Sequence, residues 1–92
     1  MTPTKAISLI DNYFEVLKND YFPQDELKQF PLWRKGRIYK LRGVLVPGKG
    51  LNAEVMLQRA TSDNDDDLEF IEMSKFVSLF GLRYPDEIAL QP

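Results

Sequence analysis

The chain offers few side chains that could do chemistry. Its 92 residues contain no cysteine and no histidine. Without Cys there are no disulfides, thiolate nucleophiles or Cys-based metal sites, and without His the commonest general base and metal ligand are missing. The serines have no His to activate them. We therefore expect a protein that is not an enzyme, with no catalytic residue, no bound cofactor and no metal.

Two groups of carboxylates come closest to a chemical site. Glu54, Glu69 and Glu72 fall on neighbouring predicted strands, and paired carboxylates can divide acid and base roles, but the sequence does not fix their separation. The run 63–67 places aspartates at 63, 65 and 67, the spacing of a calcium loop. The glycine and the closing glutamate of that motif are replaced by Leu68 and Ser74. We expect a solvated loop there.

Charge is segregated along the chain, although the formal net charge is only -2. Residues 28–49 hold seven cations and no acid, whereas residues 63–75 hold six acids and one cation. Phe30, Trp33 and Tyr39 are interleaved with the cations. Cations beside aromatic rings suit a surface for single-stranded nucleic acid, but the same strand could equally pair with acids on its neighbours.

Large apolar residues are numerous for so small a core. They cluster at 21–22, 30–33 and 76–80. We expect them to close the core over the ends of a sheet. The alternative is that some of them form an exposed patch, which in a small domain indicates a partner. Tryptophan, tyrosine and arginine are favoured at the centres of interfaces.

The first element is predicted to be a helix from Pro3 or Thr4 to Asn19. Thr2 or Thr4 can cap it and Pro3 suits its first turn. Apolar residues recur at helical spacing through this stretch, so we expect one face to be buried. A short second helical turn is predicted at residues 23–28, between two prolines.

Residues 36–74 are predicted to form a three-stranded meander. Residues 37–46 and 51–58 alternate apolar and polar side chains around a turn at 47–50, and Leu68–Met73 makes the third strand. Gly43 indicates a bulge or bend. The favoured register places Leu41 opposite Val55 and Arg42 opposite Glu54.

The chain ends with a short helix, Lys75–Phe80, capped by Ser74 and stopped at Gly81, and then a tail. The whole is predicted to be one α+β domain, 1–92, with a helical part (1–32), the meander (36–74) and a helix with tail (75–92). We expect the N-terminal helix to pack on an antiparallel sheet, which residues 36–81 could arrange as an SH3-like barrel.

These observations favour a non-catalytic protein-interaction domain: an accessory subunit, assembly factor or adaptor. Its predicted partner-binding residues are Trp33 as anchor with Arg34, Lys35, Arg37, Lys40 and Arg42 around it. The alternative is a nucleic-acid-binding module that uses residues 28–49. No apolar run is long enough to span a membrane and no targeting segment is visible, so we expect a cytoplasmic protein without a membrane partner. The sequence predicts neither the partner's identity nor the oligomeric state.

Overall fold

Five antiparallel strands and two short helices make up residues 1–48, 52–62, 64 and 67–83, which are the part of the chain that the computed structural model describes. The elements are α1 (Pro3–Ser8), β1 (Tyr13–Val16), β2 (Ile38–Leu45), β3 (Glu54–Arg59), β4 (Leu68–Glu72), α2 (Met73–Leu79) and β5 (Phe80–Arg83). The strands form one sheet in the order β4-β3-β2-β1-β5. The α+β class is confirmed. The three-stranded meander with an N-terminal helix packed on it is wrong, because the meander gains β1 and β5.

The first predicted helix breaks up after six residues. Thr2 caps it as expected, since its hydroxyl accepts a hydrogen bond from the Lys5 amide at 3.2 Å. The chain then turns through Asp11, whose φ is 74°, and continues as β1. Tyr13-Phe14-Glu15-Val16 fits a helical stripe and an alternating strand equally well. The strand prevails because β1 pairs with β2 on one side and with β5 on the other.

The β2–β3 register differs from the predicted one. Leu41 lies opposite Leu57, and Val44 lies opposite Val55. The register shifts between Leu41 and Gly43, next to the glycine at which a bulge or a bend was expected, and the shift is that of a bulge. Because the bulge adds one residue, Leu41 and Val44 can both face the core. The predicted cross-strand pair of Arg42 with Glu54 does not form.

Instead, Glu54 lies opposite Leu45. Arg42 donates a hydrogen bond to the side-chain carbonyl of Gln58. The SH3-like layout suggested for residues 36–81 is not confirmed, since the sheet also recruits β1.

The C-terminal part contains a confirmed strand and a corrected helix. The third predicted strand is confirmed as β4. The following helix begins at Met73 rather than Lys75, and Ser74 lies inside it instead of capping it. Gly81 does not stop a helix, because Phe80–Arg83 forms β5 on the free side of β1. Residues 23–28 form turns and no helix. The tail from residue 84 onward lies outside the described residues.

One face of the sheet carries the core, which α2 and α1 cover. Trp33 joins it from the long connection between β1 and β2. The buried cluster consists of Ala6, Phe14, Val16, Trp33, Tyr39, Leu41, Val55, Leu57, Ile71, Met73, Phe76, Leu79 and Phe80. The opposite face, called here the outer face, has no helix packed on it among the described elements.

Two neighbouring residues distinguish the observed strand from the predicted helix. Val16 is fully buried, whereas Leu17 is half exposed. We expect Val16→Thr to lower the free energy of unfolding by about 1–3 kcal/mol, because it buries a hydroxyl group. Leu17→Thr should change it by less than about 0.5 kcal/mol. Urea denaturation checks both, and equal losses would contradict the strand.

Candidate interaction surface

The six residues predicted to bind a partner fall on different parts of the fold. Trp33 is only 5 % exposed and belongs to the core. Arg34 and Lys35 follow it on the surface. Arg37 is half-buried at the start of β2, and Lys40 and Arg42 lie on the outer face, alternating with buried Tyr39 and Leu41. The structure therefore does not bring the six together into one surface.

Trp33 fixes the long β1–β2 connection to the core. Its ring meets those of Tyr39 and Phe80 edge to face, with centroids 5.3 and 5.5 Å apart. Its backbone forms an isolated antiparallel bridge with Asp20, in which each amide donates to the other's carbonyl, at 2.9 and 3.2 Å. Trp33 thus closes the connection at its base and presents almost no surface of its own.

Further contacts hold the base of the connection. The Lys75 ammonium lies 2.7 Å from the Asp20 carboxylate, which ties the connection to α2. The Asn19 side-chain carbonyl accepts a hydrogen bond from the Lys35 amide at 2.7 Å. Gly36 adopts a φ of 93°, where a side chain would be strained, and its amide donates to the Val16 carbonyl. The base is therefore well ordered by side chains and backbone together.

Beyond this base the connection forms a projecting segment, residues 21–32, called here the loop tip. Its apolar side chains do not reach the core: Leu27 is 77 % exposed and Phe30 75 % exposed. Phe22 and Leu32 are exposed as well. The loop tip is folded around Asp25, whose carboxylate accepts a hydrogen bond from the Phe30 amide at 3.3 Å.

The apolar residues at 21–22 and 30–33 were expected either to close the core or to form an exposed patch. The structure shows both outcomes: Phe22, Phe30 and Leu32 are exposed, whereas Trp33 lies in the core. Leu27 was missed, because it was assigned to a helical turn. The available signal was an apolar residue enclosed between Pro23 and Pro31 in a stretch without strand or helix periodicity.

Three cations lie on the loop tip or close to it in sequence. Lys28, Arg34 and Lys35 are exposed, and no acidic partner for their side chains occurs among the described residues. The connection also carries three acids: Asp20 pairs with Lys75, Asp25 accepts the Phe30 amide, and Glu26 is exposed. The surface around the loop tip is therefore apolar and of mixed charge.

Arg37 belongs to a polar cluster around the Tyr39 hydroxyl. Burial raises the pKa of Tyr39 above its ordinary value of 10.0, and the neighbouring Glu69 carboxylate raises it further. Hydrogen bonds with Arg37 and Arg59 act in the opposite direction. Arg37 and Glu69 thus have a structural role at the edge of the core, which makes Arg37 less available to a partner than Arg34 and Lys35.

Lys40 and Arg42 line a polar cleft of about 280 Å³ on the outer face. The Lys40 ammonium lies 5.8 Å from the centre of the Tyr13 ring and 3.9 Å from the Asp11 carboxylate. Arg42 donates to Gln58, whose amide in turn donates to the Asn64 carbonyl at 2.9 Å. These contacts tie the β3–β4 loop to the sheet, so both cations already interact with groups of their own chain.

The candidate carboxylates are partly brought together. Glu54 and Glu72 are directly opposite each other on β3 and β4, whereas Glu69 lies on the core side. Asp63 and Asp65 of the acidic run lie outside the described residues. Among the residues that the structure describes, no three potential metal ligands cluster. No helix in that part of the chain is long and apolar enough to cross a membrane.

No protein-family model, curated protein or solved structure matches this chain.

Tyr39 provides a test of the polar cluster. Because its pKa is higher in the folded than in the unfolded chain, the resulting stabilisation is complete below about pH 10 and is lost as pH rises further. We expect the free energy of unfolding to fall at alkaline pH, and to fall less steeply in Tyr39→Phe. Denaturant unfolding at a series of pH values measures this, with Tyr21→Phe as the matched control. An alkaline loss that is identical in Tyr39→Phe and wild type would contradict the cluster.

Proposed function

We propose that the chain is a non-catalytic protein-interaction domain, such as an accessory subunit, assembly factor or adaptor, and that its loop tip makes the contact. The observation that carries this proposal is the group of apolar side chains that the loop tip holds away from the core, led by Leu27 and Phe30. Small monomeric domains rarely expose contiguous apolar groups unless these bind something.

The geometry of the loop supports this role. Binding through an ordered segment loses less conformational entropy than binding through a flexible one. The bridge between Asp20 and Trp33 and the ion pair with Lys75 order the base of the loop. In this proposal Trp33 acts as a positioning residue, and Arg34 and Lys35 form the charged rim. Rim charges mainly increase the association rate and select partners of opposite charge.

A nucleic-acid-binding module that uses residues 28–49 is supported less well. Stacking platforms need exposed aromatic faces, and both Trp33 and Tyr39 are buried. Phe30 is the exposed aromatic residue that remains among the cations. The cytoplasmic location expected from the sequence stays a prediction.

Replacing the two most exposed apolar side chains of the loop tip should abolish partner binding without unfolding the domain. We expect the double variant Leu27→Ser/Phe30→Ser to retain its free energy of unfolding within about 1 kcal/mol, because both side chains are exposed. Affinity purification from the source cell, after nuclease treatment, should yield a discrete set of proteins with wild type. The loop-tip variant should recover at least about tenfold less of these proteins, because substitution of an interface anchor has an effect of this size.

The matched control is Ile7→Ser/Val77→Ser, which removes two exposed apolar side chains from α1 and α2. This control should retain the same proteins. Equal loss in both double variants would contradict the loop tip as the contact surface. Recovery that disappears with nuclease, or that weakens steeply with salt, would support the nucleic-acid alternative instead.

A further inference from the structure

The sheet ends at β4 with an edge that no other described strand covers. In the described part of the chain β4 pairs with β3 alone, because it is the terminal strand of the sheet. The side of β4 that faces away from β3 is called here the open edge. The backbone groups of an uncovered edge are a template on which another strand can form hydrogen bonds.

The hydrogen bonds at the end of β4 show which backbone groups point to the open edge. Glu72 lies opposite Glu54 on β3, and the next residue, Met73, donates its amide to the Ala53 carbonyl at 2.9 Å. This bond flanks Glu54 and Glu72, which are therefore a non-hydrogen-bonded pair of the antiparallel ladder. The Glu72 amide points away from β3 as a consequence.

The same pattern extends along the whole strand, because hydrogen-bonded and non-hydrogen-bonded pairs alternate in an antiparallel ladder. Glu69 and Ile71 hydrogen-bond to β3. The amides and carbonyls of Leu68 and Phe70 point to the open edge, together with the Glu72 amide. No other described strand pairs with these groups.

β4 lacks the features that usually protect an edge strand, which are lysine, proline or a bulge. The strand Leu68–Glu72 contains neither lysine nor proline, and its register with β3 runs without a shift. Phe70 lies on the outer face, since Ile71 next to it is buried, and it is 50 % exposed. An added strand that places an apolar side chain opposite Phe70 buries part of this ring.

Negative charge determines which kind of strand the open edge accepts. Residues 63–72 contain six acids and no cation. Glu72 lies opposite a second carboxylate, that of Glu54, and like charges in directly opposed positions repel each other. Among the described residues no cation forms an ion pair with Glu54, Glu69 or Glu72. The open edge therefore favours a strand that carries positive charge.

This charge disfavours the occupants that the chain itself could supply. The β4 strand of a second copy would bring the same carboxylates to the edge. The β5 strand carries one cation, Arg83, which is already paired with Glu15. Residues 84–92 contain two acids and no cation. The occupant with matching chemistry is an extended, basic segment of a different protein.

We propose that β4 binds an extended basic segment of another protein, which joins the five strands of the sheet as an additional antiparallel strand. An apolar side chain of that segment lies opposite Phe70 on the outer face, and cationic side chains lie opposite Glu72 and Glu69. The inference goes beyond the proposed function, because this contact uses the edge of the sheet and not the loop tip.

A short synthetic peptide tests this pairing in a defined register. The peptide Lys-Thr-Val-Lys-Val-Lys, blocked at both ends, places its first lysine opposite Glu72 and its valines opposite Phe70 and Leu68. Its second lysine then lies opposite Glu69. Fluorescence anisotropy of the labelled peptide measures its dissociation constant with the full chain. The matched control peptide has glutamate in place of every lysine and should bind at least about tenfold more weakly.

Methylation of the peptide nitrogens distinguishes strand addition from charge attraction alone. In the proposed register the valine amides point to β4, whereas the amides of the threonine and the second lysine point away. N-methylation of both valines should weaken binding at least about tenfold, because it removes hydrogen-bond donors from the interface. N-methylation of the threonine and the second lysine leaves the charge unchanged and should alter the dissociation constant by less than about threefold.

Protein variants separate the open edge from other acidic surfaces and from the loop tip. Glu69→Gln/Glu72→Gln should weaken peptide binding about fivefold, the effect expected for the loss of two exposed ion pairs. Asp11→Asn/Glu26→Gln removes two exposed acids from other parts of the surface and should bind as wild type does. The loop-tip variant should also bind the peptide normally, so failure of this inference and failure of the proposed function are distinguishable.

Hydrogen exchange locates the peptide on the sheet. In the free protein the amides of Glu69 and Ile71 should be protected, whereas those of Leu68 and Phe70 should exchange rapidly. Peptide at ten times its dissociation constant should slow exchange at Leu68, Phe70 and Glu72 by about tenfold.

Protection of the Leu68 and Phe70 amides in the free protein would overturn the inference, because it would show that the chain already covers the open edge. Absence of binding up to about 1 mM peptide would overturn it too. Equal binding of the basic and acidic peptides would contradict the role of charge, and equal binding of the two methylated peptides would contradict strand addition. A peptide that binds without slowing exchange along β4 would show that its site lies elsewhere on the protein.

Discussion

The packing of Trp33 between Tyr39 and Phe80 is the interaction on which the rest of the structure depends. The three rings come from the β1–β2 connection, β2 and β5, and they meet edge to face at interplanar angles of 67° to 74°. Aromatic pairs of this geometry contribute about 0.5–1.5 kcal/mol each beyond the burial of their area. Because Phe80 begins β5, the same cluster places that strand beside β1 and closes the core over the end of the sheet.

The burial of Trp33 also explains why the cations of residues 28–49 do not lie on one surface. A run of cations with interleaved aromatics has two possible uses, since the rings can stack on a ligand or build the core. A domain of this size needs its largest side chains inside. Once Trp33 and Tyr39 are committed to the core, Arg37 is held at its edge by the Tyr39 hydroxyl. Arg34 and Lys35 remain at the surface beside the loop tip.

The sequence predicted the α+β class, β2, β4 and the bulge at Gly43, because each rests on a local signal. The prediction was wrong where one stretch fits both helical and strand periodicity, and where a segment distant in sequence determines the secondary structure. Tyr13–Val16 satisfies both helical and strand periodicity, and β5 becomes the partner that favours the strand only once the chain has folded back. The β2–β3 register was wrong because an extra residue in a bulge moves every later pair, and periodicity alone does not count that residue.

The exposure of Leu27 and of Phe70 was difficult to identify for a related reason. An apolar side chain in a sequence indicates burial by default, so neither Leu27, in a predicted helical turn, nor Phe70, in a predicted strand, was singled out as exposed. Their exposure follows from constraints on their neighbours. Asp20 and Trp33 pair with each other, so the twelve residues between them form a loop that does not reach the core. Phe70 is placed on the outer face because Ile71, the next residue, is buried opposite Val55.

The same constraint explains why Glu54 and Glu72 stay side by side. Their repulsion costs only a few tenths of a kcal/mol to about 1 kcal/mol. A slip of one residue in the β3–β4 register would move Val55, Leu57 and Ile71 out of the core, at a cost several times larger. The core thus fixes a mild electrostatic conflict on an exposed surface. A protein can keep such a conflict without losing its fold, because the core sets the register.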